Sequence, residues 1–92
     1  VTPQSVPYLP RGVRCAHDRV RGVPVLLGPE RVLMLDQIGT EVLSRVTGTQ
    51  SVRAISEDLA RTFAAPRDQI ETDVMEYLGD LAEKRLVEFK HA

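Results

Sequence analysis

Cys15 and His17 come nearest to a metal site in this sequence, being two residues apart in a stretch that reads as extended. On a strand that spacing points both side chains to one face. A structural zinc site usually needs four ligands. The only other histidine, His91, stands one residue from the end. No metal site is expected, and Cys15 is expected to serve as a small buried apolar residue. Nucleophilic catalysis needs a nucleophile, a base and an orienting group. Ser5, Ser44, Ser51 and Ser56 sit in no strand-turn-helix elbow, and Ser51 is better explained as a helix cap. The glycines are scattered singly, so no phosphate-cradling loop is formed. The acidic residues are spaced as solvated helix faces. No catalytic residue, cofactor or enzymatic activity is expected.

The elements that carry these residues are small. Ninety-two residues with 42% hydrophobic content make one domain with one core. A net charge of −1 gives no general attraction to nucleic acid or anionic lipid. A single cysteine excludes an intramolecular disulfide framework and fits a reducing cytosol, so a cytoplasmic location is expected. No apolar run approaches the roughly 18 residues of a membrane span, and the first residues lack the pattern of a signal peptide.

Val1 to Pro10 carries three prolines and is expected as a flexible N-terminal arm, tethered or loose, with residues 11–92 forming the domain proper. Val13–Asp18 reads as a first strand, and Gly22 suits a turn needing positive φ. Val23–Leu27 reads as a second strand and Arg31–Leu35 as a third, joined by Gly28-Pro29-Glu30. Pro24 cannot donate to a ladder, so pairing starts at Val25 or leaves the Pro24 side open. At Asp36, a good N-cap, the period changes. Helix one is expected from Gln37 to Val46, helix two from a Ser51 cap through Phe63, and helix three from Pro66 to about Glu83. Each is expected to exceed two turns, and Val87–Phe89 reads as an extended tail. The order gives an α+β, winged-helix-like class: a three-stranded antiparallel β-meander followed by three helices.

Winged helices often read DNA, which makes a nucleic-acid binder the rival to a protein-binding module. Helix three argues against it. It carries Arg67 alone against Asp68, Glu71, Asp73, Glu76, Asp80 and Glu83, setting like charge against phosphate. Arg11, Arg14, Arg19, Arg21 and Arg31 do cluster on the sheet half, but without interleaved aromatics. Helix three has two apolar stripes: Ile70, Val74, Tyr77 and Leu81, then Met75 and Ala82 beside it, with Leu86 if the helix reaches so far. Core packing against the other helices and the sheet could use both. An edge strand beside a partly exposed apolar helix is also a ready site for an added peptide strand.

Arg11-Gly12, Arg21-Gly22 and Leu26-Leu27-x-Pro29-Glu30-Arg31-Val32-Leu33-x-Leu35-Asp36 resemble the pyrroloquinoline quinone biosynthesis protein D (PqqD) family. Gly48-x-x-Ser51-Val52, Leu59-Ala60 and Ile70-x-x-Asp73-Val74-x-x-Tyr77-Leu78-x-x-Leu81 continue the likeness, which spans Pro10 to Val87. The resemblance implies a cytosolic peptide chaperone, a RiPP recognition element of three strands and three helices. Such proteins bind the ribosomal precursor peptide PqqA and deliver it to PqqE, a radical S-adenosylmethionine enzyme with iron–sulfur clusters that cross-links a Glu and a Tyr of the peptide. It further implies that the peptide lies along the third strand against the third helix. The expected peptide-binding residues are therefore Arg31, Val32, Leu33, Met34, Leu35, Val74, Tyr77, Leu78 and Leu81. Side chains alternate across a strand, so either Val32/Met34 or Arg31/Leu33/Leu35 faces the pocket, and the sequence leaves that choice open. It leaves the oligomeric state open too, with a homodimer in crystals as one outcome.

Overall fold

The structure, a computed structural model, describes residues 2–90. His91 lies outside them. Five strands and three helices are present in the order β1 (Val6–Tyr8), β2 (Arg14–Asp18), β3 (Val23–Leu27), β4 (Val32–Met34), α1 (Gln37–Leu43), α2 (Val52–Phe63), α3 (Arg67–Glu83) and β5 (Glu88–Lys90). The expected meander is β2-β3-β4, antiparallel throughout, with β3 in the middle.

Pro24 does not interrupt this sheet. Its residue pairs with His17, and its carbonyl accepts the Leu35 N–H at 2.9 Å. The N–H and C=O of one strand residue point the same way. Pro24 therefore turns its donor-less nitrogen toward β4, where that strand is ending, and takes nothing from the β2 ladder.

Asp36 caps α1, its carboxylate accepting the Gly39 N–H at 2.7 Å. The helix is shorter than expected, its 7 residues falling just under two turns. Beyond Leu43 the backbone tightens, with Arg45 and Val46 bonding three residues back to Val42 and Leu43. Val46 stays buried as a result. α2 keeps its expected bounds and its Ser51 cap, which accepts the Ala54 N–H at 3.1 Å. Pro66 stands as the N-cap of α3 rather than within its first turn.

The N-terminal segment expected as a flexible arm is tied into the fold from Pro3 onward. The Pro3 and Ser5 carbonyls accept the Arg53 and Val52 N–H groups, each at 2.9 Å. These are amides at the start of α2 that have no partner inside the helix. β1 then pairs with β5, so the expected tail is a strand as well, with Val6, Pro7 and Tyr8 opposite Lys90, Phe89 and Glu88. Pro7 is buried within a strand because a two-stranded ribbon leaves one side of each strand unpaired. The core beneath is aliphatic. Leu26, Val42, Val52, Ile55, Leu78, Leu86 and Val87 are fully buried, which brings the central strand, all three helices and the stretch entering β5 onto one centre.

Candidate functional site

The phase of the β3–β4 ladder decides what β4 offers. Gly28 N–H bonds Arg31 C=O, and Leu35 N–H bonds Pro24 C=O, each at 2.9 Å. With Leu33 opposite Leu26, residues 31, 33 and 35 turn their backbone groups to β3. Alternation turns the N–H and C=O groups of Val32 and Met34 the other way. Among the described residues no further strand of the sheet lies on that side. Four backbone groups therefore stand along an open edge.

The same alternation sorts the side chains. Leu33 shares a row with the fully buried Leu26, and both Leu33 and Leu35 pack on the core. Arg31, Leu33 and Leu35 thus belong to the face turned to the helices. Val32 and Met34, 56% and 63% exposed, stand on the opposite face beside Leu27 and Val25. Of the two sets left open, Val32/Met34 cannot line a pocket against α3. Their backbones, not their side chains, are what face an added strand.

The residues that flank β4 meet different parts of α3. Arg31 shares a hollow of ≈ 290 Å³ with Lys84, Arg85 and Leu86, near the end of α3. Asp36, just past β4, shares a larger one of ≈ 400 Å³ with Ile70, Asp73, Val74 and Tyr77, in its first half. At 100° per residue, Asp73, Tyr77, Asp80 and Lys84 form one flank of α3, next to the buried stripe of Val74, Leu78 and Leu81. Leu78 and Leu81 are 0% and 4% exposed. They hold the helix to the core and have almost no surface to offer a ligand.

Tyr77 lines the larger hollow from α3, close to Asp36 and Gly39. Its ring fills space that a side chain on Gly39 would need: a β-carbon there would lie 2.5 Å from the Tyr77 hydroxyl oxygen. This explains a glycine inside α1, where it costs roughly 1 kcal/mol relative to alanine. Partial burial lifts the Tyr77 phenol above its ordinary range, and the nearby Asp36 carboxylate and Cys15 push the same way. Tyr77 is therefore a neutral hydroxyl at physiological pH, with an apolar ring set against Ile38 and Ile70.

Of the residues expected from the sequence, Val74 and Tyr77 line the larger hollow; Ile38, Glu41, Val42, Leu59, Phe63, Ile70 and Asp73 line it with Asp36 and were not expected there. Asp36 both caps α1 and lines this hollow. The signal that could have found them is Ile38, an apolar residue 60% exposed at the start of a helix. Cys15, on β2 at the other edge of the sheet, is exposed rather than buried. Desolvation by its neighbours still raises its thiol above the ordinary value. Among the described residues no group of three or more His, Cys, Asp or Glu side chains is placed to hold a metal ion, and no helix is long and apolar enough to cross a membrane.

Fold and edge together define a winged-helix-like α+β domain whose last meander strand has an open edge. The chain belongs to the PqqD family: residues 25–87 match the family described as coenzyme PQQ synthesis protein D. It is 48% identical over 84 residues to the PqqA binding protein of Bradyrhizobium diazoefficiens, covering 91% of this chain and 82% of that one. It is 47% identical over 87 residues to the PqqA binding protein of Xanthomonas campestris pv. campestris strain B100, covering 95% of each. Among solved structures, it resembles the solution structure of the PqqD truncation of Methylobacterium extorquens PqqCD. That domain is described as a functional, stand-alone RiPP recognition element, and the match has a TM-score of 0.81 at 42% identity over 95% of this chain and 93% of that one. The crystal structure of PqqD from Xanthomonas campestris matches with a TM-score of 0.59 at 48% identity, covering 94% and 96% of the two chains.

Proposed function

We propose that this chain is a peptide chaperone of pyrroloquinoline quinone biosynthesis. It binds the precursor peptide PqqA as an added strand along β4 and presents it to the radical SAM enzyme PqqE in the cytoplasm, without catalysing a step itself. The observation that carries the reading is the outward set of backbone groups on Val32 and Met34, an open edge that leads into Asp36 and the hollow lined by Tyr77. A strand added there gains backbone hydrogen bonds whatever its sequence, and alternate side chains meet the helix for specificity. Arg31, Leu33, Leu35 and Tyr77 are the side chains proposed to meet the peptide, with Val74, Leu78 and Leu81 as their support. The names of the relatives support PqqA as the ligand.

The test is an NMR titration of labelled protein with unlabelled PqqA, run beside a duplex DNA titration in matched salt. Amides of β4 and of α3 from Ile70 to Lys84 are expected to shift with the peptide and not with DNA. Shifts confined to α2 or to the Arg11–Arg21 region would refute the site. Binding of DNA in place of peptide would refute the function.

A further inference from the structure

The two hollows, one where α1, α2 and α3 converge past Asp36 and one between Arg31 and the end of α3, carry opposite charge. At the Asp36 end the lining holds Asp36, Glu41 and Asp73 and no base. Glu41 is paired with Arg45 at 3.1 Å. Asp36 and Asp73 have no cation within salt-bridge reach among the described residues; Asp36 accepts the Gly39 amide and Asp73 the Gln69 amide. At the other end the lining holds Arg31, Lys84 and Arg85 against the single acid Glu30. None of those three bases makes a salt bridge among the described residues. Leu33 and Leu35, both partly buried, follow Arg31 along the strand toward Asp36, and Tyr77 lines the acidic hollow itself. The path along β4 and α3, here called the cleft, thus joins an acidic hollow to a basic one.

Its length follows from either wall. Arg31 to Asp36 is five steps of extended chain at about 3.3 Å, roughly 16 Å. Asp73 to Lys84 is eleven steps of helix at about 1.5 Å, again roughly 16 Å. The walls agree, and the distance fits about five residues of an extended peptide.

Resting on the peptide-binding reading above, we infer that the cleft selects and orients its ligand by charge. The bound segment carries a Lys or Arg that reaches Asp36 and Asp73, apolar residues in the middle, and, about five positions away, an Asp or Glu that reaches Arg31, Lys84 and Arg85. Backbone pairing on an open edge accepts either chain direction, so it cannot set polarity alone. A dipolar cleft can, because the reversed peptide meets like charge at both ends.

The experiment is a charge-inversion scan of PqqA against three proteins: the unaltered chain, Asp73→Lys and Lys84→Glu. Both altered positions are exposed. Binding is read by fluorescence anisotropy at low and high salt. One Lys/Arg→Glu peptide is expected to bind the unaltered chain about three- to tenfold more weakly at low salt and to recover on Asp73→Lys but not on Lys84→Glu. One Asp/Glu→Lys peptide, altered about five residues away, should recover only on Lys84→Glu. Should a variant fail to fold, the unaltered chain decides: two weakening inversions about five residues apart, fading at high salt, support the inference. Tight binding of PqqA that no inversion weakens, or no selective recovery on folded variants, overturns it while leaving the peptide reading intact. No binding of PqqA to the unaltered chain overturns both.

Discussion

Replacing Met34 with proline should separate peptide binding from folding, because the ladder phase gives the Met34 N–H to the open edge and not to β3. Leu33 before it is already extended, as a residue preceding proline must be. Proline is tolerated on an edge whose N–H side faces solvent. Every β3–β4 hydrogen bond therefore survives, and a melting temperature within about 5 °C of the parent is expected, since 1 kcal/mol shifts a domain of this size by roughly 4–8 °C. An added peptide, by contrast, loses one backbone bond outright, and the ring stands where the neighbouring bond must form. At about 0.5–1.5 kcal/mol per bond, two bonds come to roughly 1–3 kcal/mol, or about 5- to 150-fold in affinity. Two companions calibrate the result. Met34→Ala keeps the N–H and should bind within about threefold, a difference below roughly 1 kcal/mol. Leu33→Pro removes a bond to Leu26 and a packed side chain, and should unfold the sheet. The assay is calorimetric titration with PqqA, with a circular dichroism melt of each variant. A folded Met34→Pro protein that binds PqqA as tightly as the parent would refute strand addition at β4. Loss of binding in Cys15→Pro instead would move the peptide to the opposite edge, where the same alternation turns the Cys15 backbone outward.

Further outcomes follow from the same contacts. Tyr77→Ala removes a side chain that lines the acidic hollow and should weaken PqqA binding by roughly 1–3 kcal/mol, measured by the same titration. Deleting residues 1–9 strips the Pro3 and Ser5 carbonyls from the start of α2 and dissolves the β1–β5 pair. Two lost bonds and the lost burial of Pro7 should cost about 2–3 kcal/mol, seen as a fall of roughly 10–20 °C in the melting temperature. Arg45 holds the Asp58 carboxyl below its ordinary range through a hydrogen bond, outweighing the opposing desolvation. A depressed folded-state value means that the unfolded chain binds the proton first, so this stabilisation is present at neutral pH. It is lost as pH falls from the ordinary aspartate value, about 4, through the lower folded one. Asp58→Asn should therefore flatten the acid limb of the stability curve, measured by urea titrations between pH 6 and about 2. Cys15→Ala and His17→Ala, each still folded, should deliver PqqA to PqqE within about threefold of the parent, read as peptide cross-linking rate.

What could be read in advance was local. The bounds of β3 and α2, and the caps Asp36 and Ser51, follow from alternation, period and side-chain chemistry within a few residues. β1 and β5 were not legible as partners because 80 residues separate Tyr8 from Glu88, joined here by a 2.7 Å hydrogen bond from the tyrosine hydroxyl. No short-range signal announces so distant a pairing. The last turn of α1 was overextended because Val46 keeps helical spacing while the backbone has tightened into three-residue steps. The site divides in the same way. Tyr77 and Val74 lie on a stripe visible in the sequence, whereas the acidic hollow exists only where α1, α2 and α3 converge. The face of β4 needed the cross-strand row of Leu26 and Leu33 to settle it.

That row also explains how one short strand could serve a core, a peptide and a second protein. Leu33 gives its side chain to the helices and its backbone to β3; Val32 and Met34 give their side chains to the outer face and their backbones to the open edge. In the proposed complex the added peptide obeys the same alternation. Half of its side chains turn to the Tyr77 flank and are held. The other half fall beside Val32 and Met34, on a face that already carries Val25 and Leu27 and is bordered by the exposed Arg14 and by Arg21, whose guanidinium reaches the Met34 sulfur at 3.8 Å. An enzyme that must reach the peptide then meets a surface composed jointly of peptide and chaperone. It can recognise the loaded protein without prising the peptide from its groove. Presentation needs no moving part on this scheme, only a strand whose two faces and two edges each have a different neighbour.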